Sequence, residues 1–155
     1  MGNVEPVPEG LHTVTPGITV RGAAEALAFY KQAFGAEELR RFATPDGTIM
    51  HSEMRIGDSV VLVNDEVPTS GLLSPQHFGG STSALTIHTT NADELFHQAL
   101  SHGATEDSPM QDTFTGERFG ILHCPFGHRW IIAMRIEDVA TDEIQRRLEE
   151  SMKAS

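Results

Sequence analysis

Two hydrophobic rhythms follow one another along this chain, and their order occurs twice. VTPGITV (14–20) is β-branched and interrupted by Pro-Gly, which predicts a strand. GAAEALAFYKQAF then sets Ala23, Leu27, Tyr30 and Phe34 at helical spacing, and Gly35 stands just past the last apolar position, where helices commonly end on glycine. EELRRFA (37–43) predicts a strand and Pro45-Asp46-Gly47 a turn. TIMHSEMRI (48–56) and SVVLVND (59–65) predict a hairpin joined at Gly57-Asp58.

From residue 82 the order begins again. TSALTIHT (82–89) predicts a strand. Asn91 is the expected N-cap of a helix with Asp93 and Glu94 in its first turn, where the helix dipole favours them. Ala92, Leu95, Phe96, Ala99 and Leu100 form one apolar stripe, and Gly103 ends it. ATEDSPM (104–110) predicts a short strand and Thr115-Gly116 a turn. RFGILHC (118–124) and RWIIAMRI (129–136) flank the turn Pro125-Phe126-Gly127-His128. Val20 falls on Thr89, Gly35 on Gly103, Gly47 on Gly116 and Gly57 on Gly127, an offset of 68 to 70 residues. The expected fold class is α+β, built from two tandem β-α-β-β-β modules (13–65 and 82–136) in a single domain spanning residues 1–155. VPTSGLLSPQHFGGS (67–81), rich in Pro, Gly and Ser, reads as a linker or lid, so the inter-module segment is 66–81. Residues 1–12 read as a loose arm. A closing helix is expected over about 142–152, capped by Thr141, with Ile144 and Leu148 on one face.

Composition narrows the function classes. The 155 residues suit one domain, and 39% hydrophobic residues supply a core. Against 11 Lys and Arg stand 22 Asp and Glu, a formal charge of −11, so nucleic acid and anionic membrane surfaces are expected not to be partners. The one cysteine, Cys124, forms no disulfide within the chain. No apolar run is long enough to span a membrane, and MGNVEPVPEG lacks the basic and apolar regions of a signal peptide, so a cytoplasmic protein is expected.

Within this pattern, GITVRGAAEALAFYKQAFGAEE resembles the opening module of the vicinal oxygen chelate superfamily, which includes glyoxalase I, extradiol dioxygenases, fosfomycin-resistance enzymes and bleomycin-resistance proteins. MHSEMRIGDSVVLVNDE (50–66), FTGERFGILHCPFGHRWIIA (114–133) and IEDVATDEIQRR (136–147) resemble its PhnB-like glyoxalase-like branch. Cys124 departs from the pattern, which usually has Asp before Pro-Phe-Gly. The resemblance implies a curved mixed sheet around a cleft (the glyoxalase, bleomycin resistance and dioxygenase fold) and a homodimer. In metal-using members it also implies a divalent ion held by His, Gln or Glu from the first and last strands of each module. Carried onto this sequence, those ligand positions are Thr15, Val61, Ala84 and Ile131, none of them a good metal donor. No metal site and no cofactor are therefore predicted, although a divalent ion bound at some other site stays open.

The remaining candidates lie on the strands. His51 and Glu53 alternate on one strand and share a face, and the repeat sets His123 on Glu53. These three are the catalytic candidates, as an acid-base group or a nonstandard ligand set. The competing expectation turns that face outward and lines the cleft with Met50, Ser52, Met54 and Val61, because a two-residue hairpin pairs Met54 with Val61. Cys124 and His128 straddle a turn, too few ligands for a soft metal, and His88 reads as a core or cleft-edge histidine. Phe114, Glu117 and Arg118 are candidates for ligand recognition, with Arg118 facing a carboxylate or phosphate-like group. The function expected is metal-independent binding of a small amphipathic molecule, in the manner of bleomycin-resistance proteins, in a cleft lined by Met50, Ser52, Met54, Val61, Ala84, Phe114 and Ile131. The alternative is a divergent lyase, isomerase or dioxygenase using His51, Glu53 and His123.

Overall fold

The computed structural model describes Gly2 and residues 4–155; Met1 and Asn3 of the expected N-terminal arm lie outside them. The chain forms two compact units. The first comprises Met1–Thr82 with Pro125–His128, the second Ser83–Cys124 with Arg129–Ser155.

In the first unit, β1 (Gly17–Val20) leads into α1 (Ala23–Phe34), followed by β2 (Glu37–Ala43), β3 (Ile49–Ile56) and β4 (Ser59–Asp65). The four strands form a mixed sheet in the order β1-β4-β3-β2, with β1 parallel to β4 and the other pairs antiparallel. The expected pairing of Met54 with Val61 is present. The segment between the modules is not a plain linker, since it holds a 3-10 turn (Pro68–Ser70) and the short helix α2 (Pro75–Phe78).

Asp65 ties the start of α1 to one face of this sheet. Its carboxylate accepts the N–H groups of Gly22 at 3.1 Å and Ala23 at 2.7 Å, donors left over at the start of α1, and that of Ile49 at 2.7 Å. Strand alternation puts Val63 and Val61 on the same side as Asp65. Their cross-strand partners Ser52 and Met54 join them, as do Ile18 and Val20 of β1. All six are buried, and against the apolar side of α1 (Ala23, Ala26, Leu27, Tyr30) they make the core of the unit.

The turn Pro125–His128 belongs to this unit through its own contacts, a placement that the expected module boundaries (13–65 and 82–136) do not include. Phe126 lies 6.1 Å from Phe29 and 6.4 Å from Tyr30 between ring centroids. His128, 8% exposed, donates its Nε2–H to the Thr19 carbonyl at 2.9 Å. Burial lowers the His128 pKa from its ordinary value and so favours the neutral ring.

The second unit repeats the plan. β5 (Ala84–His88), α3 (Ala92–Ser101), β6 (Thr105–Asp112), β7 (Glu117–His123) and β8 (Arg129–Arg135) form a sheet ordered β5-β8-β7-β6, with β5 parallel to β8. Leu122, Trp130 and Ile132 are buried on the α3 side. Gly120 lies where an added Cβ would come within 2.7 Å of Phe96 on α3. Two caps differ from expectation. The Asn91 side chain makes no cap bond and pairs with the Thr89 hydroxyl instead. The last helix, α4 (Thr141–Lys153), begins at Thr141 itself with Ala140 as its N-cap.

Candidate functional site

The face of the first sheet opposite α1 carries the polar chemistry. His51 and Glu53 point to it from β3, and β2 supplies their cross-strand partners, Phe42 opposite His51 and Arg40 opposite Glu53. One carboxylate oxygen of Glu53, Oε1, accepts from Arg40 Nη2 at 2.6 Å and from His51 Nε2 at 3.1 Å. The Arg40 guanidinium is the main reason that the Glu53 carboxyl titrates below its ordinary range. The Phe42 and His51 rings stack at 5.9 Å, tilted by 26°, and the Arg40 guanidinium stands 5.8 Å from the Phe42 ring centre, a cation–π distance. Glu53 has a side chain 9% exposed, whereas Arg40 is 52% exposed and Phe42 57%. The cluster therefore has a shielded carboxylate at its base and an open aromatic and cationic rim.

Of the two expectations for β3, the structure brings His51 and Glu53 together and corrects the other. Ser52 and Met54 have no exposed surface and Val61 has 4%, because all three lie beneath α1 rather than along an open face. Met50 alone of the four is open, at 45%, because a β-bulge lies where the pairing shifts from Phe42↔His51 to Ala43↔Ile49. His123 belongs to the second unit, where its Nδ1 faces an Asp107 carboxylate oxygen at 2.6 Å.

Arg118 is also corrected. It lies on the α3 side of the second sheet, where Asp93 binds its Nε and Nη2 at 2.8 and 2.7 Å and Asp112 binds its Nη1 at 2.8 Å. A guanidinium with donors spread over two carboxylates clamps strand to helix and has little left for a ligand. Glu117 alternates to the opposite face, 3.6 Å from His88, which is exposed rather than a core histidine. Phe114, 40% exposed, sits in the turn before β7, and its carbonyl accepts from Arg147. Cys124 is buried at 4%, and His128 is committed to Thr19.

The residues at the implied metal positions do not fit a divalent ion. The Thr15 hydroxyl is bonded to the His12 carbonyl, and Val61 turns toward α1. The β4 residue that faces the open side beside Gly17 and Glu53 is Leu62, which brings no donor. Ala84 and Ile131 lie on the helix-free face of the second sheet and have none either. At His51 and Glu53 a cation would compete with the guanidinium of Arg40. Among the described residues no three His, Cys, Asp or Glu side chains are grouped to share a metal.

Arg40 and Phe42, the other half of the cluster, are absent from the sequence-level candidates. Counting residues back from the Pro45-Asp46-Gly47 turn sets Phe42 opposite Met50 and Arg40 opposite Ser52. Only the bulge shifts them onto His51 and Glu53.

Comparison with known proteins agrees with this geometry. Residues 10–132 match the family model described as the Glyoxalase/Bleomycin resistance protein/Dioxygenase superfamily. An uncharacterized protein of Mycobacterium bovis is 36% identical over 146 residues, covering 92% of both chains. Among solved structures, TioX from Micromonospora sp. ML1 superposes with a TM-score of 0.61 at 23% identity, covering 84% of this chain and 99% of its own. A PhnB protein from Bacillus cereus superposes with a TM-score of 0.59 at 20% identity, covering 79% and 99%. With two β-α-β-β-β units and a family model matched over most of its length, this chain belongs to the Glyoxalase/Bleomycin resistance protein/Dioxygenase superfamily.

Proposed function

We propose that the protein binds a small organic molecule without a metal, and that Arg40, Phe42, His51 and Glu53 on the helix-free face of the first sheet hold it. The observation that carries this reading is the composition of that face: an exposed Phe42 ring stacked on a half-buried His51, with one shielded carboxylate and one half-exposed guanidinium. Such a mixture of flat apolar area and a few oriented polar groups is what small-molecule sites use. Superfamily membership supports the same reading, and the donor-poor residues at the implied metal positions support its metal independence. The reading includes a homodimer, as the resemblance implies, and a cytoplasmic location, as the N-terminal sequence MGNVEPVPEG leads us to expect. For the fold, no helix among the described residues is long and apolar enough to cross a membrane.

Thermal-shift screening of protein treated with EDTA tests the reading. Aromatic compounds that stabilise the wild type are expected to do so in EDTA and to lose the effect in Phe42→Ala. Stabilisation that appears only after a divalent ion is restored overturns the proposal.

The 3.1 Å bond between His51 and Glu53 favours a second reading, acid-base catalysis by that pair. Glu53 would orient the imidazole, and the free Nδ1 would exchange a proton with substrate. On that reading a His51→Ala/Glu53→Ala double variant loses turnover while still binding; unchanged turnover excludes these roles.

A further inference from the structure

We infer that the ligand of this face presents a flat, uncharged amide-type group, such as a carboxamide, lactam or urea, that offers an acceptor and a donor side by side. This rests on the proposed reading of the Arg40–Phe42–His51–Glu53 face as a ligand site.

The first support is which atoms are engaged. Arg40 and Glu53 meet through Nη2 and Oε1 alone. Among the described residues, Nε and Nη1 of Arg40 and Oε2 of Glu53 have no protein partner. Adjacent to the ion pair, then, free N–H donors stand beside a free carboxylate oxygen. Because the Glu53 side chain is 91% shielded (9% exposed), a ligand that covers it must supply a donor or leave that oxygen desolvated. A ligand that covers Arg40 must likewise supply an acceptor.

The second support is shape. Phe42 and His51 stack and Phe42 stays open, so the polar pair is flanked by a flat surface that suits a conjugated group.

The third is charge. Arg40 offsets Glu53, and Arg55 offsets Glu37 nearby, so with neutral histidine this face carries no net charge on a molecule of charge −11. A carboxylate ligand gains Arg40 but is set against Glu53 and the acidic surface. An ammonium gains Glu53 but is set against Arg40. An amide edge satisfies both partners and meets neither repulsion.

Three probes that share one ring separate the cases: benzamide, benzoate and benzylammonium, each titrated into 15N-labelled full-length protein and followed by amide chemical shifts. Benzamide is expected to perturb the amides of Phe42, His51 and Glu53 with a dissociation constant at least about fivefold below those of the two ions. Arg40→Ala is expected to weaken benzamide by at least about fivefold. Its side chain is half exposed, so the fold should tolerate the change; Glu53→Leu is the matching test from the carboxylate side. Benzoate or benzylammonium binding at the same residues as tightly as benzamide, or tighter, overturns the ligand class while leaving the site in place. If none of the three perturbs these residues, the site itself is refuted, and the inference falls with it.

Discussion

Gly47 and Gly116 occupy equivalent turns of the repeat and adopt similar left-handed backbones, with φ of +90° and +83°, yet replacing each by Ala should have unequal effects. At Gly47 an added Cβ meets nothing within 4 Å. Only the left-handed strain then counts, roughly 1–2 kcal/mol, less a few tenths returned by the stiffer unfolded chain. At Gly116 the same Cβ would lie 2.5 Å from the Glu137 carbonyl oxygen and 2.7 Å from Val139 Cγ2. The carbonyl of Gly116 also accepts the N–H groups of Ile136 and Glu137 at 2.9 and 3.0 Å, so relief of the clash must break bonds that hold the chain after β8. Overpacking adds about 1–3 kcal/mol, for a total near 3 kcal/mol or more. With a urea m-value of about 2 kcal/mol/M, the midpoint should fall by about 0.5 M for Gly47→Ala and about 1.5 M for Gly116→Ala. The chain carries its own reporters for the assay: its one tyrosine, Tyr30, is buried in the first unit and its one tryptophan, Trp130, in the second. Equal shifts for the two variants, or a larger one for Gly47→Ala, would refute the packing around Gly116.

Burial lowers the folded-state pKa of His128 below the ordinary 6.5, so the fold favours the neutral ring. The unfolded chain then takes up its proton first as pH falls. The stability linked to His128 is complete above about pH 6.5, declines below it, and levels off once the folded ring is also protonated. His128→Gln, which keeps a donor for the Thr19 carbonyl, should flatten this part of a stability profile measured from pH 8 to 5. A wild-type profile no steeper than that of the variant there would show that the ring is not held neutral. Arg118→Ala should lower the melting temperature by several degrees, since it breaks the clamp to Asp93 and Asp112, and should leave ligand affinity unchanged. A selective loss of affinity with unchanged melting would return Arg118 to the ligand site.

Sequence rhythm alone predicted most of the architecture. β2 and β4 have the bounds read from EELRRFA and SVVLVND, and both sheets repeat the same order. These features are local, so alternation and turn residues encode them directly. What sequence left undetermined was long-range. The hairpin pairing of Met54 with Val61 was readable, but not that α1 covers their face, where Asp65 reaches back 42 residues to the Ala23 amide. Arg118 looked available because its partner Asp93 lies 25 residues away, on a helix. The Arg40–Glu53 pair depends on a bulge that residue counting passes over. The turn Pro125–His128 reads as a simple hairpin end until Phe126 meets Phe29 and Tyr30, and His128 meets Thr19.

Metal content tests the central claim most directly. Protein purified without chelator should be dialysed against equimolar zinc, manganese, nickel and magnesium and then against metal-free buffer, and the retained metal counted by mass spectrometry. Metal-independent binding predicts less than about 0.1 equivalent of any divalent ion per chain, because the implied ligand positions lack donors and Arg40 already engages Glu53. Retention of about one equivalent, lost on His51→Ala or Glu53→Ala, would contradict the account and move this face into the metal-using class.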